Sequence, residues 1–150
     1  MRPGGIPVFV VGTLKRGFAL HERGLTGARF LGAYRTLLPF VMVIAGPWFA
    51  PMLIAQSPGG RRLTGELYAV DASRLAQLDA LESVGQPGNE RVLVSVAPVG
   101  GGVALRAHVY VKAPELAIPV HSGPLDDYQD NRFVPPEERP EVERAPAPSL

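Results

Sequence analysis

The stretch VFVVGTLKRG, residues 8–17, sets the expected fold, because an apolar run stops abruptly at a glycine. Residues 6–11 are continuously apolar and rich in β-branched side chains, which is typical of a strand buried on both faces. Gly12 and Thr13 follow at once, and two cations come within the next three residues. A glycine here leaves the backbone open to a close approach. We therefore predict that something small binds against the main chain at the end of this strand.

Composition limits the class of protein. The 150 residues suit a single domain, and the net charge of +1 gives no electrostatic case for nucleic acid or an acidic membrane surface. The chain has no cysteine, so disulfides, thiolate nucleophiles and thiolate metal ligands are excluded. The N-terminal stretch MRPGGIPVFVV carries one charge and too short an apolar run for a signal peptide. We expect a soluble, cytoplasmic protein.

Residues 36–60 contain no charged side chain and are long enough, in principle, to cross a membrane. Pro39, Pro47 and Pro51 interrupt the stretch, however, and an internal proline removes a helical hydrogen bond and clashes with the preceding turn. Two short buried strands joined by a GPWFAP loop are the better interpretation.

The rest of the chain predicts an α+β fold. A helix over 72–83 begins at Asp71, which suits an N-cap, and Gly65 in the strand before it marks a bulge or a close backbone approach. Strands are expected over 30–38, 40–45, 52–56, 61–71, 91–98 and 103–111. Regular alternation of strands and helices is missing, which favours α+β.

The composition changes near residue 134. We predict one domain over residues 1–134 and a flexible Pro/Glu-rich tail over residues 135–150, because five prolines and few large apolar side chains cannot offset the entropy of ordering. The alternative is that this segment lies against the domain or a neighbour.

Glu82 breaks two local rules. With about 100° per residue, it lies about 20° from Leu75 and between Leu75 and Leu78, on the helical stripe that faces the core. It also sits in the last turn, where the helix dipole disfavours negative charge. Both effects raise the pKa of a carboxyl group, which suits a proton acceptor near neutral pH. The alternative is that the helix frays and Glu82 extends into water. Asp79 flanks the same stripe and is a weaker candidate.

Four motifs occur in order along the chain: GTLKRG (12–17), TLLPFVMVIAGPWFAP (36–51), GELYAV (65–70) and LDALE (78–82). With them the sequence resembles the gamma-glutamylcyclotransferase-like superfamily, and within it the gamma-glutamylamine cyclotransferase branch, from about Val8 to Tyr128. The resemblance implies a small mixed β-barrel with flanking helices. It also implies that the reaction uses no metal and no cofactor.

The resemblance makes Glu82 the catalytic general acid/base and Val11, Gly12, Thr13 and Leu14 the substrate-binding segment. The implied reaction is the cyclisation of a small L-gamma-glutamyl amine, such as gamma-glutamyl-epsilon-lysine, to 5-oxoproline with release of the amine. It sets neither the identity of that amine nor the oligomeric state.

Two positions depart from the family pattern. Val11 and Asn89 stand where the family has tyrosine, which affects the side of the site that holds the departing amine. Two alternatives therefore stay open: a non-catalytic small-molecule binder on the same fold, and an enzyme that removes a gamma-glutamyl group from a natural-product or polyamine intermediate.

Several other side chains are assigned roles. Lys15 and Arg16 are expected to form a solvated rim, and Tyr110 is a candidate for the wall of the site. Trp48 and Phe49 either cover the site or pack in the core. His21, His108 and His121 lack the spacing of metal ligands, so we predict no metal site.

Overall fold

The computed structural model describes residues 5–55 and 57–140. Its strands are β1 (Ile6–Val10), β2 (Arg29–Thr36), β3 (Val41–Ala45), β4 (Ala50–Ile54), β5 (Thr64–Val70), β6 (Asn89–Pro98) and β7 (Leu105–Lys112). Its helices are α1 (His21–Leu25) and α2 (Ala72–Leu81), with 3₁₀ turns at Pro114–Leu116 and Pro136–Glu138. Asp71 caps α2 as predicted, since the Arg74 backbone N–H donates to Asp71 Oδ1 at 2.7 Å.

Five strands close into a barrel. The sheet order is β1-β5-β2-β6-β7-β4-β3, and β1 also pairs with β7, which joins the two ends of the five-strand part. The β1–β7 and β4–β7 pairs are parallel and the others are antiparallel. The predicted α+β class and mixed β-barrel with flanking helices are therefore confirmed.

Strand β1 is apolar throughout because it separates two cores. Phe9 packs in the barrel interior with residues of β6 and β7. Val8 and Val10 pack on the opposite side, with Leu78 of α2 and the region around α1. A strand buried on both faces has no position for a polar side chain, which explains the unbroken run from Ile6 to Val11.

Gly65 of β5 marks a close backbone approach, as predicted. A Cβ atom there would lie 2.4 Å from the Val10 carbonyl oxygen and 3.0 Å from the Phe9 ring. Only a glycine lets these two strands approach so closely.

Residues 41–54 of the uncharged stretch form the β3–β4 hairpin, with its turn at residues 46–49. It extends from the barrel through the pairing of β4 with β7. Over residues 5–55 and 57–140, no helix is long and apolar enough to cross a membrane.

The segment after the barrel returns to the domain. The Val134 backbone N–H donates to the Trp48 carbonyl at 3.0 Å, and Pro135 is buried. The segment predicted as a tail thus contacts the domain over its first residues, 135–140. Residues 141–150 lie outside the described residues, so the flexible tail stays a prediction.

Candidate active site

A cavity of about 280 Å³ lies where β1 ends, between the C-terminal end of α2, the end of β7 and the segment after residue 132. All five residues predicted for the site line it: Val11, Gly12, Thr13, Leu14 and Glu82. They come from two stretches about 70 residues apart in sequence, and the barrel brings them to one place.

The strand-end loop, Val11 to Leu14, presents unused backbone donors. Over the described residues, the backbone N–H groups of Gly12, Thr13 and Leu14 donate to no other protein group. The Thr13 hydroxyl is buried and likewise has no partner there. Donors without a protein partner in a cavity wall are free to bind a ligand group, so this loop is suited to an anion or an oxyanion.

Gly12 leaves the loop room beside the β3–β4 hairpin. A Cβ atom at this position would lie 2.6 Å from Pro51 Cγ and 3.1 Å from Pro51 Cβ. A side chain there would displace the proline or move the loop. The contact with Pro51 therefore explains why the GTLKRG motif begins with a glycine.

Helix α2 ends at a defined capping structure. The Ser83 N–H donates to the Ala80 carbonyl at 3.1 Å and the Val84 N–H to the Asp79 carbonyl at 2.9 Å, the two bonds of a Schellman motif. Ser83 takes the left-handed conformation, with φ of 59°, where glycine is usual. Glu82 therefore follows the last full turn, and its own N–H still bonds to Leu78 at 2.9 Å. The alternative of a helix that frays at Glu82 is not what the structure shows.

Glu82 lines the cavity and is half-buried as a residue, and its carboxyl group has no hydrogen-bonding partner among the described residues. Burial raises its pKa above the usual value of 4.5, and the nearby positive charge of Lys112 opposes part of that rise. A carboxylate with a raised pKa and no fixed partner can accept and return a proton.

Asp79 connects α2 to two strands. Its carboxylate accepts from Arg91 Nε at 2.8 Å and Arg91 Nη2 at 3.2 Å, and from the Tyr110 hydroxyl at 2.7 Å. Tyr110 lines the cavity, as the sequence suggested for this residue. Burial and the Asp79 hydrogen bond raise the pKa of Tyr110, which keeps its hydroxyl neutral.

Lys112 brings a positive charge to the same wall. Its Nζ donates to Asn89 Oδ1 at 2.6 Å, so this amide holds the ammonium in place. The partner is neutral, and the charge of Lys112 stays available to the cavity.

The expected solvated rim is wrong for Lys15. The residue is only 5% exposed, and its Nζ donates to Asp127 Oδ1 at 2.6 Å and to the Tyr128 carbonyl at 2.8 Å. The bonds tie the strand-end loop to a segment more than 110 residues away, which local sequence cannot reveal. Arg16 is exposed as expected and lies over the Phe30 ring.

Trp48 and Phe49 pack rather than line the cavity. Phe49 stacks on His121 with ring centroids 4.1 Å apart, and it packs against the barrel core. Trp48 instead lies against Arg139, whose guanidinium carbon is 5.1 Å from the centroid of the Trp48 ring.

Sequence analysis missed Lys112 and Arg139, which both line the cavity. The alternation along β7 could have found Lys112, since it follows His108 and Tyr110 on the same face of that strand. Arg139 follows a proline-rich run with no periodicity, and no local signal points to it.

Each of the three histidines contacts a protein group. His21 Nδ1 lies 2.9 Å from the Leu14 carbonyl, His121 Nε2 lies 2.8 Å from the Gly46 carbonyl, and His108 Nδ1 lies 2.8 Å from Arg91. Within the described ranges, no group of three or more His, Cys, Asp or Glu side chains could hold a metal ion.

Comparison with known proteins gives consistent matches. A family model described as "Gamma-glutamyl cyclotransferase, AIG2-like" matches residues 8–130. The gamma-glutamylaminecyclotransferase of Bos taurus is 38% identical over 142 residues, which cover 89% of this chain and 84% of that protein. The protein of that name from Rattus norvegicus is 35% identical over 131 residues, 77% of this chain and 87% of that one.

A solved structure supports the fold as well. The crystal structure of an AIG2-like protein from Mus musculus superposes with a TM-score of 0.74 at 32% identity, covering 89% of this chain and 98% of that chain.

Proposed function

Because the chain belongs to the gamma-glutamyl cyclotransferase, AIG2-like family, we propose that it cyclises small L-gamma-glutamyl amines to 5-oxoproline, with Glu82 as general base and general acid. The relatives above are named as cyclotransferases, and the chain is an enzyme of this type. One observation carries the proposed mechanism: Glu82 and the unused backbone donors of the strand-end loop line the same cavity.

The nucleophile in this reaction belongs to the substrate. The α-nitrogen attacks the γ-carbonyl carbon, a new C–N bond closes the five-membered ring, and the bond from that carbon to the departing nitrogen breaks. No serine, cysteine or threonine nucleophile is required. Since the attack is intramolecular, holding the glutamyl chain folded supplies much of the rate acceleration.

Protons must move between the two nitrogens. The substrate begins with an α-ammonium group and ends with a lactam N–H, while the amide nitrogen leaves as an ammonium group. Two protons therefore pass from the α-nitrogen to the departing nitrogen. A carboxyl group with a raised pKa can carry each in turn, which is the role proposed for Glu82.

The strand-end loop is proposed to bind negative charge on the glutamyl half. Its three unused N–H groups suit the α-carboxylate, or the oxyanion that develops when the γ-carbonyl is attacked. The Thr13 hydroxyl adds a buried polar group beside them. Lyase chemistry with 5-oxoproline as the product and a cytoplasmic location belong to the same proposal.

The non-catalytic binder is not favoured, because the matched relatives are named as enzymes. The departures at Val11 and Asn89 bear on which amine leaves rather than on the proposed base.

Purified protein should release 5-oxoproline and free amine from gamma-glutamyl amines, measured by chromatography. Glu82→Gln should reduce kcat by about 10²–10⁴-fold with the fold retained by circular dichroism. Glu115→Gln is the matched control, because Glu115 is exposed and lies outside the cavity. Full turnover by the Glu82→Gln variant would contradict the mechanism, and no turnover of any gamma-glutamyl amine by the wild type would contradict the function.

A further inference from the structure

The strand-end loop is held by hydrogen bonds to its carbonyl groups. The Lys15 N–H donates to the Gly12 carbonyl at 3.0 Å. The Leu20 N–H donates to the Thr13 carbonyl at 2.9 Å. In a planar trans peptide the N–H group points opposite to the carbonyl of the same peptide. These two bonds therefore direct the N–H groups of Thr13 and Leu14 to the other side of the loop, and both residues line the cavity.

Lys15 supplies the first of these bonds, and its side chain is fixed outside the cavity. Its Nζ donates to Asp127 Oδ1 at 2.6 Å and to the Tyr128 carbonyl at 2.8 Å. The same nitrogen lies 5.3 Å from the centroid of the Phe18 ring. The residue whose N–H group orients the Gly12–Thr13 peptide is therefore itself held in place by its ammonium group.

The segment that receives the ammonium group is fixed to the barrel. The Leu125 N–H donates to the Met42 carbonyl of β3 at 2.8 Å. The Asp126 carbonyl accepts from the Thr64 N–H of β5, also at 2.8 Å. The Tyr128 side chain is buried in the barrel core. Through Lys15, the strand-end loop is thus connected to a segment that two strands hold in place.

Burial of the Lys15 ammonium group indicates a need for directed hydrogen bonds at this position. Removing an ammonium group from water is unfavourable unless it is paired, and an apolar side chain would fill the same space without that cost. Lys15 and Asp127 carry opposite charges that lie 2.6 Å apart, so the pair has no net charge. Lys15 therefore acts on the cavity by fixing the positions of loop atoms rather than by its charge.

We propose that Lys15 is a positioning residue for the reaction: its ammonium group, bound to Asp127 and the Tyr128 carbonyl, keeps the strand-end loop in the arrangement that binds the glutamyl half of the substrate. This inference rests on the proposed function and adds no covalent step to it. All gamma-glutamyl amines share the glutamyl half, and 5-oxoproline retains it. Loss of the ammonium group should therefore weaken the binding of 5-oxoproline as well as turnover, whichever amine leaves.

Lys15→Met tests the inference, because methionine fills the space but donates no hydrogen bond. We expect kcat/KM with gamma-glutamyl-epsilon-lysine to fall at least about tenfold, and the Kd of 5-oxoproline, measured by isothermal titration calorimetry, to rise by a similar factor. In proton–nitrogen correlation NMR spectra, the amide resonances of Thr13 and Leu14 should move, whereas that of Val96 in the barrel core should stay in place. A purely structural role would lower stability but leave the Kd and these resonances of the folded protein unchanged.

Arg16→Met is the matched control. Arg16 is the neighbouring cation of the same motif, but it is exposed and lies over the Phe30 ring. This variant should keep kcat/KM and Kd within about twofold of the wild type. If Lys15→Met does not fold, Asp127→Ala removes the carboxylate acceptor at a partly exposed position instead. It should give the same losses to a smaller extent, because the Tyr128 carbonyl still accepts from Lys15.

The outcomes separate this inference from the proposed function. Wild-type kcat/KM and Kd in folded Lys15→Met, or in folded Asp127→Ala where Lys15→Met does not fold, would overturn the inference while the proposed function stands. A loss of kcat/KM with unchanged resonances of Thr13 and Leu14 would overturn it as well. Absence of both turnover and 5-oxoproline binding in the wild type would overturn the inference and the proposed function together.

Discussion

The Tyr110 hydroxyl donates to Asp79 Oδ1 at 2.7 Å, which joins the cavity wall on β7 to α2 one turn before Glu82. Arg91 binds the same carboxylate from β6, through Nε at 2.8 Å and Nη2 at 3.2 Å. Asp79 thus fixes the last turn of the helix against two strands of the barrel, and with it the place where Glu82 enters the cavity.

Replacing Asp79 should affect both stability and activity. Asp79→Asn removes the charge that Arg91 and Tyr110 share, so we expect the free energy of unfolding to fall by about 1–3 kcal/mol in urea titrations. We also expect kcat to fall, because the turn that carries Glu82 is no longer held. Tyr110→Phe keeps the ion pair and should lose only about 1 kcal/mol. Wild-type stability and kcat in the Asp79→Asn variant would show that the network does not position Glu82.

The Glu82→Gln variant should be more stable than the wild type at neutral pH. Because burial raises the pKa of Glu82 in the folded state, the folded protein binds that proton more tightly than the unfolded chain does. Wild-type stability therefore falls as pH rises from about 4.5 through the raised pKa, and the uncharged glutamine escapes this loss. Urea unfolding of both proteins at about pH 4 and about pH 7 measures how the difference in their stability changes with pH. An equal difference between the two proteins at both pH values would contradict the raised pKa.

The charge of Lys112 should shift the acid limb of the pH–rate profile, which the ionisation of Glu82 produces. Its charge lowers the pKa of Glu82 against the effect of burial, so Lys112→Met should move the acid limb of kcat/KM to higher pH. Lys112→Arg keeps the charge and serves as the control, with a limb near that of the wild type. If the acid limb of the Lys112→Met variant moves to lower pH or stays in place, Lys112 does not act on the proposed base.

Gly12→Ala should damage the site by steric conflict. The added Cβ would lie 2.6 Å from Pro51 Cγ, so the loop or the hairpin must move. We expect a loss of about 1–3 kcal/mol in the free energy of unfolding and a larger fractional loss in kcat/KM. Gly100→Ala is the matched control, because a Cβ there meets no atom within 4 Å, and it should change stability by less than about 0.5 kcal/mol. Wild-type kcat/KM in the Gly12→Ala variant would remove the loop from the proposed site.

Local patterns predicted much of this protein. The apolar run before Gly12, the N-cap at Asp71 and the glycine at position 65 each depend on neighbours within a few residues, and each was found where expected. The helix predicted over 72–83 ends at Leu81, so Glu82 is its C-cap rather than part of its last turn. Repeats of 2 and 3.6 residues are enough to place such features on a strand or a helix.

Other features have no local signal. Lys15 follows the strand-end loop like a surface cation, yet it is buried because Asp127 and the Tyr128 carbonyl reach it from more than 110 residues away. Arg139 reaches the cavity only because its segment folds back to Trp48. The register and closure of the barrel determine such contacts.

By itself the sequence placed most strands and the helix after Asp71 to within two or three residues, and it identified a carboxylate on an apolar face, because these depend on side-chain order along a few turns of chain. Only the tertiary structure decided that Glu82 lines the same cavity as the strand-end loop, and that Lys112 and Arg139 line it too. The physical reason is that pairing β1 with β7 closes the barrel, and this closure sets the distance between residues far apart in sequence.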